Sequence, residues 1–139
     1  MSSTNTANMS NQNAQAWLDE YGQERWCEET YNEAANQGHL KVIELLYEKK
    51  IPMNEEVWEI AAGAGHINIL EWLFQKKCKW DENACSAAVL NNQLESFKWL
   101  CDHNCPCDER TSRMAAKKFN VEIIKSFNKH GCTLKITDN

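Results

Sequence analysis

The chain has 139 residues, 25% of them charged and 42% hydrophobic, with a net charge of −5. That is one ordinary folded domain's worth of chain, and the negative balance argues against a nucleic-acid or anionic-membrane binder. No apolar run approaches the roughly 20 residues of a membrane-spanning helix.

Residues 1–12 are mostly Ser, Thr, Asn and Gln and read as a disordered tail. The opening MSSTNTANMSNQN lacks the basic start and apolar centre of a secretory signal. Seven cysteines are present: Cys27, Cys78, Cys85, Cys101, Cys105, Cys107 and Cys132. Without a signal they read as reduced thiols, and the expected location is cytoplasmic. From Asn13, NAQAWLDEY predicts a cap helix over 13–22 with Ala16, Trp17 and Tyr21 inward.

A repeat follows. Ala34, Ala61, Ala88 and Ala115 stand 27 residues apart, and the same step links Gly38, Gly65 and Asn92. It also links His39, His66, Gln93 and Asn120, then Ile51, Cys78, Cys105 and Cys132. A fixed period of this size means stacked supersecondary units, here about 27–53, 54–80, 81–107 and 108–134.

Each unit reads as two helices. The first opens at Cys27, Asn54, Asp81 or Asp108, followed by Glu. Asn and Asp cap free amides, and carboxylates suit the positive helix end. The Ala pair permits close packing, and Gly38 and Gly65 occupy the slot where a left-handed residue ends a helix. The second helix carries an apolar stripe: Leu40, Ile43 and Leu46, then Ile67, Leu70 and Leu73, then Leu94, Phe97 and Leu100. Trp72 and Trp99 share one slot beside it and are expected in the core. In the fourth unit Phe119 replaces the Gly, and Ser126 and Asn128 replace apolar residues, as suits a terminal unit.

AANQGHLKVIELL and AAGAGHINILEWL resemble the ankyrin-repeat motif, in which an Ala pair, two variable residues and Gly-His mark the junction between inner and outer helix. The resemblance spans about residues 27–134. Its period is shorter than the roughly 33 residues of a standard ankyrin repeat, and the usual Thr-Pro-Leu-His opening is absent. The short form, with the loop Cys105-Pro106-Cys107-Asp108, resembles compact repeats common in giant DNA viruses and amoebae. The resemblance implies an all-α solenoid of stacked helix–turn–helix units with reduced or absent β-hairpins.

It also implies a non-catalytic module, a scaffold or adaptor that binds another protein; a viral origin would put it on host proteins in the host cytoplasm. The implied contact positions follow each Ala pair: Asn36 and Gln37, Gly63 and Ala64, Leu90 and Asn91, Lys117 and Lys118. Glu55, Glu56, Trp80, Glu82, Glu109 and Arg110 join them from the loops and helix starts. Leu90 stands out as apolar without a core role. Trp80 either packs between loops or anchors a partner.

Two rival readings stay open. Cys101, His103, Cys105 and Cys107 could support zinc or thiol chemistry. The repeat argues otherwise, because Cys105 fills the slot of Ile51 and Cys101 that of Tyr47 and Phe74. His39 and His66 recur at the helix junction and read as structural. No phosphate loop, nucleophile elbow or metalloprotease motif is present, so no enzyme activity, metal or cofactor is expected. The second rival is a self-associating component of a virus particle. Residues 1–66 hold four Lys/Arg and eleven Asp/Glu, whereas residues 67–139 hold eleven and nine. That asymmetry is either a solvated surface or a field for a complementary partner or head-to-tail self-association.

Overall fold

Eight α-helices and no strand are present among the described residues, which in this computed structural model are 11–21, 26–80, 82–105 and 107–119. They are α1 (Asn11–Tyr21), α2 (Glu28–Gln37), α3 (Leu40–Glu48), α4 (Glu56–Ala64), α5 (Ile67–Gln75), α6 (Asn83–Leu90), α7 (Leu94–Asp102) and α8 (Glu109–Phe119). The pairs α2·α3, α4·α5 and α6·α7 pack within themselves, while α2, α4, α6 and α8 touch in succession to form one row. The second helices α3, α5 and α7 begin at Leu40, Ile67 and Leu94, in step with the sequence period. The expected second helix of the fourth unit and the tail 1–10 lie outside the described residues.

Local chemistry explains the turns. Gly38 and Gly65 end α2 and α4 at φ 81° and 82°, where a residue with a Cβ is strained. Asn92 takes the same slot after α6 at φ 60°. The next amide closes each turn onto the alanine that recurs every 27 residues: His39 to Ala34, His66 to Ala61 and Gln93 to Ala88, at 2.8–3.0 Å. The second helices end in the same way. Lys50, Lys77 and Asn104 have positive φ, and the amides of Ile51, Cys78 and Cys105 reach back to Leu46, Leu73 and Leu100. These back-bonds supply partners for carbonyls at the helix ends. The Ile/Cys slot is thus the residue that follows each left-handed turn.

Helix starts are capped from Asn54, whose Oδ1 accepts the Glu56 amide at 3.0 Å, and from Asp108, whose Oδ1 accepts the Thr111 amide at 2.8 Å. In the first unit Thr30 Oγ1 accepts the Cys27 amide instead.

The core runs along the row. The alanine pairs of α2 and α4, with Ala88 and Ala115, are fully buried, as are Val42, Ile43, Leu46, Leu70, Leu73, Phe97 and Leu100. Three details differ from the sequence expectation. Helix α1 begins at Asn11, two residues early, and buries Ala14 and Leu18 whereas Ala16 is exposed. Its inward stripe is Ala14, Trp17 and Leu18 at i, i+3 and i+4 because it lies on α3. Trp72 is buried, but its counterpart Trp99 is half-buried and stacks on His103 at 3.8 Å.

The turn conformations predict opposite effects of two substitutions. Gly65→Ala should destabilise by about 1–2 kcal/mol, the cost of a left-handed non-glycine residue. Lys77→Gly should stabilise by about 0.5 kcal/mol, the left-handed relief less the added freedom of the unfolded chain. Urea unfolding checks both, and equal signs would refute the assignment.

Candidate functional site

The groove along the row of first helices is where candidate residues converge. A hollow of about 360 Å3 between α4 and its neighbours is lined by Asn36, Glu56, Glu59, Ile60, Gly63, Ala64, Ala87 and Asn91. A second, of about 320 Å3, is lined by Glu29, Asn32, Glu33, Asn36 and Ile60. They share Asn36 and Ile60 and so form one groove across α2, α4 and α6. A third hollow, about 250 Å3, lies on α8 at Arg110, Arg113, Met114 and Lys117.

The period relates these hollows. Adding 81, three periods, to Glu29, Asn32, Glu33 and Asn36 gives Arg110, Arg113, Met114 and Lys117. The same four helix positions therefore face outward at both ends of the row. On α2 they carry two carboxylates, and on α8 three cations. Helical geometry sets the spacing, since positions i, i+3, i+4 and i+7 share one face.

Of the residues singled out by sequence, Asn36, Glu56, Gly63, Ala64 and Asn91 line the central groove, and Arg110 and Lys117 line the α8 hollow. Gly63 also has a packing role: a Cβ there would meet Asn91 Nδ2 at 2.9 Å. Asn91 is held by its donation to the Ala87 carbonyl at 2.8 Å. Gln37 donates to Glu33 and meets His39 Nε2 at 2.8 Å through its Oε1. Leu90 is 57% exposed, and the adjacent Lys118 ammonium donates to its carbonyl at 3.1 Å.

Other candidates stand apart from the groove. Glu55 faces a loop-side hollow with Met53, Asn54, Cys78 and Lys79. Glu55, Glu82 and Glu109 share with Glu28 the slot at the start of the first helix, where the helix dipole favours a carboxylate in every unit. Trp80 is half-buried, with its ring 4.5 Å from Trp58, 5.7 Å from Phe74 and 6.3 Å from Trp99. It packs between units.

Sequence reasoning missed Glu29, Asn32, Glu33, Glu59, Ile60, Ala87, Arg113 and Met114. The signal was available one and two helical turns before the variable pair, because Asn36 shares its face with Asn32, Glu33 and Glu29.

Groups with shifted ionisation lie off the groove. The Thr111 amide lowers the Asp108 pKa by donating to its carboxylate. Burial pushes the Tyr31 phenol up, and its hydroxyl donates to Ile51 O at 2.8 Å. Burial also raises the Cys78 thiol. A hydrogen bond with Cys85, then burial, raises that of Cys107, which holds its proton far above neutral pH and is a poor nucleophile. Cys101 and Cys105 are buried in the core. His103 Nδ1 donates to the Trp99 carbonyl at 2.8 Å, so the four members of the 101–107 cluster face different surroundings. Among the described residues no three His, Cys, Asp or Glu side chains converge as metal ligands would.

The two histidines serve the junction differently. His66 lies over Gly38 of the preceding unit, where an added Cβ would be 2.7 Å from its ring, and its Nε2 bonds Asn36 O at 3.2 Å. His39 is buried, with Trp17 packed edge-on at 5.4 Å and its Nδ1 without a partner.

No family model matches the chain, and no curated protein matches it.

Burial, then the neighbouring His66, lowers the His39 pKa. The folded state thus binds fewer protons than the unfolded one below the ordinary histidine value of about 6.5, and stability falls as pH drops through that window. His39→Gln, the side chain found at position 93, should reduce the loss of melting temperature between about pH 7.5 and pH 5. An unchanged loss would assign it to other groups.

Proposed function

We propose that the chain is a solenoid of short ankyrin-like repeats that binds another protein without catalysing a reaction. The groove along α2, α4, α6 and α8 is its recognition surface, and α1 caps one end of the stack. The observation that carries this reading is the division between slots. Ala34, Ala61, Ala88 and Ala115 recur one period apart and are fully buried, whereas the outward slots of the first helices vary along the row. They read Glu, Glu, Asn, Arg at 29, 56, 83 and 110, and Asn, Gly, Leu, Lys at 36, 63, 90 and 117. A scaffold that repeats while its exposed row varies suits recognition, because binding energy in repeat arrays comes from such an extended surface.

The thiol alternative finds less support. Cys101 and Cys105 are covered by the core, and the Cys107 proton is held tightly. A reactive thiol is instead accessible and has a lowered pKa.

Affinity capture from cells, compared between wild type, Leu90→Glu and Lys98→Glu, tests the proposal. Leu90 holds the slot of Asn36 and Gly63, which line the groove, and Lys98 is an exposed residue of α7. The Leu90 variant should lose bound protein by about tenfold or more while keeping its helicity and melting temperature, and the Lys98 variant should retain it. Retention by Leu90→Glu and loss by Lys98→Glu would place the binding surface on the second helices.

A further inference from the structure

We infer that the groove face pairs with the same face of a second copy of this chain across a two-fold axis. This rests on the reading of that face as a binding surface and assigns its occupant.

The charge layout supplies the argument. The α2 end carries Glu29 and Glu33, and the α8 end carries Arg110 and Arg113. Arg113 is also engaged with Glu109 along its own helix. When two identical faces meet, the two-fold axis lies in the plane between them. An axis along the row would set α2 on α2 and α8 on α8, placing like charges together. An axis parallel to the helices, between α4 and α6, sets α2 on the partner's α8 and α4 on the partner's α6. Opposite charges then meet at both ends, as a self-complementary two-fold interface requires.

The slots refine the match. This axis preserves position along the helix, so residues of the same slot face each other. Glu29 comes opposite a second Arg110. Leu90, 57% exposed, comes opposite a second Gly63, in the part of the groove floored by small residues. Both contacts occur twice by symmetry. No slot from 29 to 37 and its periodic equivalents brings like charges together under this operation. The closed pair differs from the head-to-tail association that the overall charge asymmetry alone would permit, because it uses the groove and leaves the ends of the stack uncovered.

Analytical ultracentrifugation of the purified full chain tests this without any unidentified partner. The wild type should form dimers whose dissociation constant weakens about tenfold or more between about 0.05 M and 0.5 M salt. Glu29→Lys with Glu33→Lys should abolish dimers, as should Arg110→Glu with Arg113→Glu, while a one-to-one mixture of the two variants should restore them. Leu90→Asp, which leaves all four charged positions intact, should weaken the dimer about tenfold. Circular dichroism confirms that each variant melts as wild type does. A wild type that is monomeric up to about millimolar concentration at low salt, a dimer that survives either charge reversal, or a mixture that stays monomeric would each overturn the pairing. Those results would leave intact a groove that binds a different protein, which the capture experiment decides separately.

Discussion

The left-handed turn that follows α2, α4 and α6 is the constraint on which the rest of the structure depends. Gly38 and Gly65 reverse the chain at φ near 80°, and the absence of a Cβ there does a second job. The His66 ring covers Gly38, and the Gln93 amide covers Gly65, each occupying space that a Cβ would need. One residue therefore ends a helix within its own unit and makes room for the side chain of the next. Because the turn and the contact recur one period apart, they fix the offset between neighbouring helix pairs. The shared row of first helices, and with it the alignment of their outward slots, follows from that offset.

Bonds across the row reinforce the register where the surface is polar. Asn54 donates to Glu28, Asn32 to Glu56, and the Ser86 and Thr111 hydroxyls are hydrogen-bonded at 2.7 Å. Each links a first helix, or the residues that lead into it, to the neighbouring unit. Bonds of this kind contribute on the order of 1 kcal/mol each, so the buried alanines and the Leu, Ile and Phe stripe supply most of the stability. The polar links choose the alignment. That division leaves the groove positions free to vary without loss of the scaffold, and they range from paired glutamates on α2 to arginines on α8.

Much of the architecture was legible in the sequence because the period is uninterrupted and the turn residues are distinctive. A 27-residue step through Ala, Gly and His located the junctions, and an i, i+3, i+6 stripe located the buried side of the second helices. Other elements were less legible. Helix α1 ends one period before α3, but its buried stripe is out of step with the repeat: Val42, Ile43 and Leu46 lie 27 residues after Gln15, Ala16 and Asp19, so the period did not identify Ala14 and Leu18. Trp80 illustrates a different limit. A tryptophan in a loop is compatible with solvent or with packing, and only the meeting of rings from different units settles it against Trp58, Phe74 and Trp99. The groove was half legible: the variable pair after the alanines pointed to Asn36, Gly63, Ala64 and Asn91, while the residues one turn earlier required the helix face to be drawn.

The central claim is that successive helix pairs are interchangeable units joined by one recurring contact. Excision of residues 54–80 tests it most directly. The cut joins Met53 to Asp81, restoring a polar cap in the slot of Asn54, and brings Gln93 into register with Gly38 as it is now with Gly65. The shortened chain should unfold cooperatively, with the same helicity per residue and a lower melting temperature. Removal of residues 54–78, which breaks the period, should abolish cooperative unfolding. If both shortened chains behaved alike, whether folded or unfolded, the recurring contact would not be what holds the structure in register.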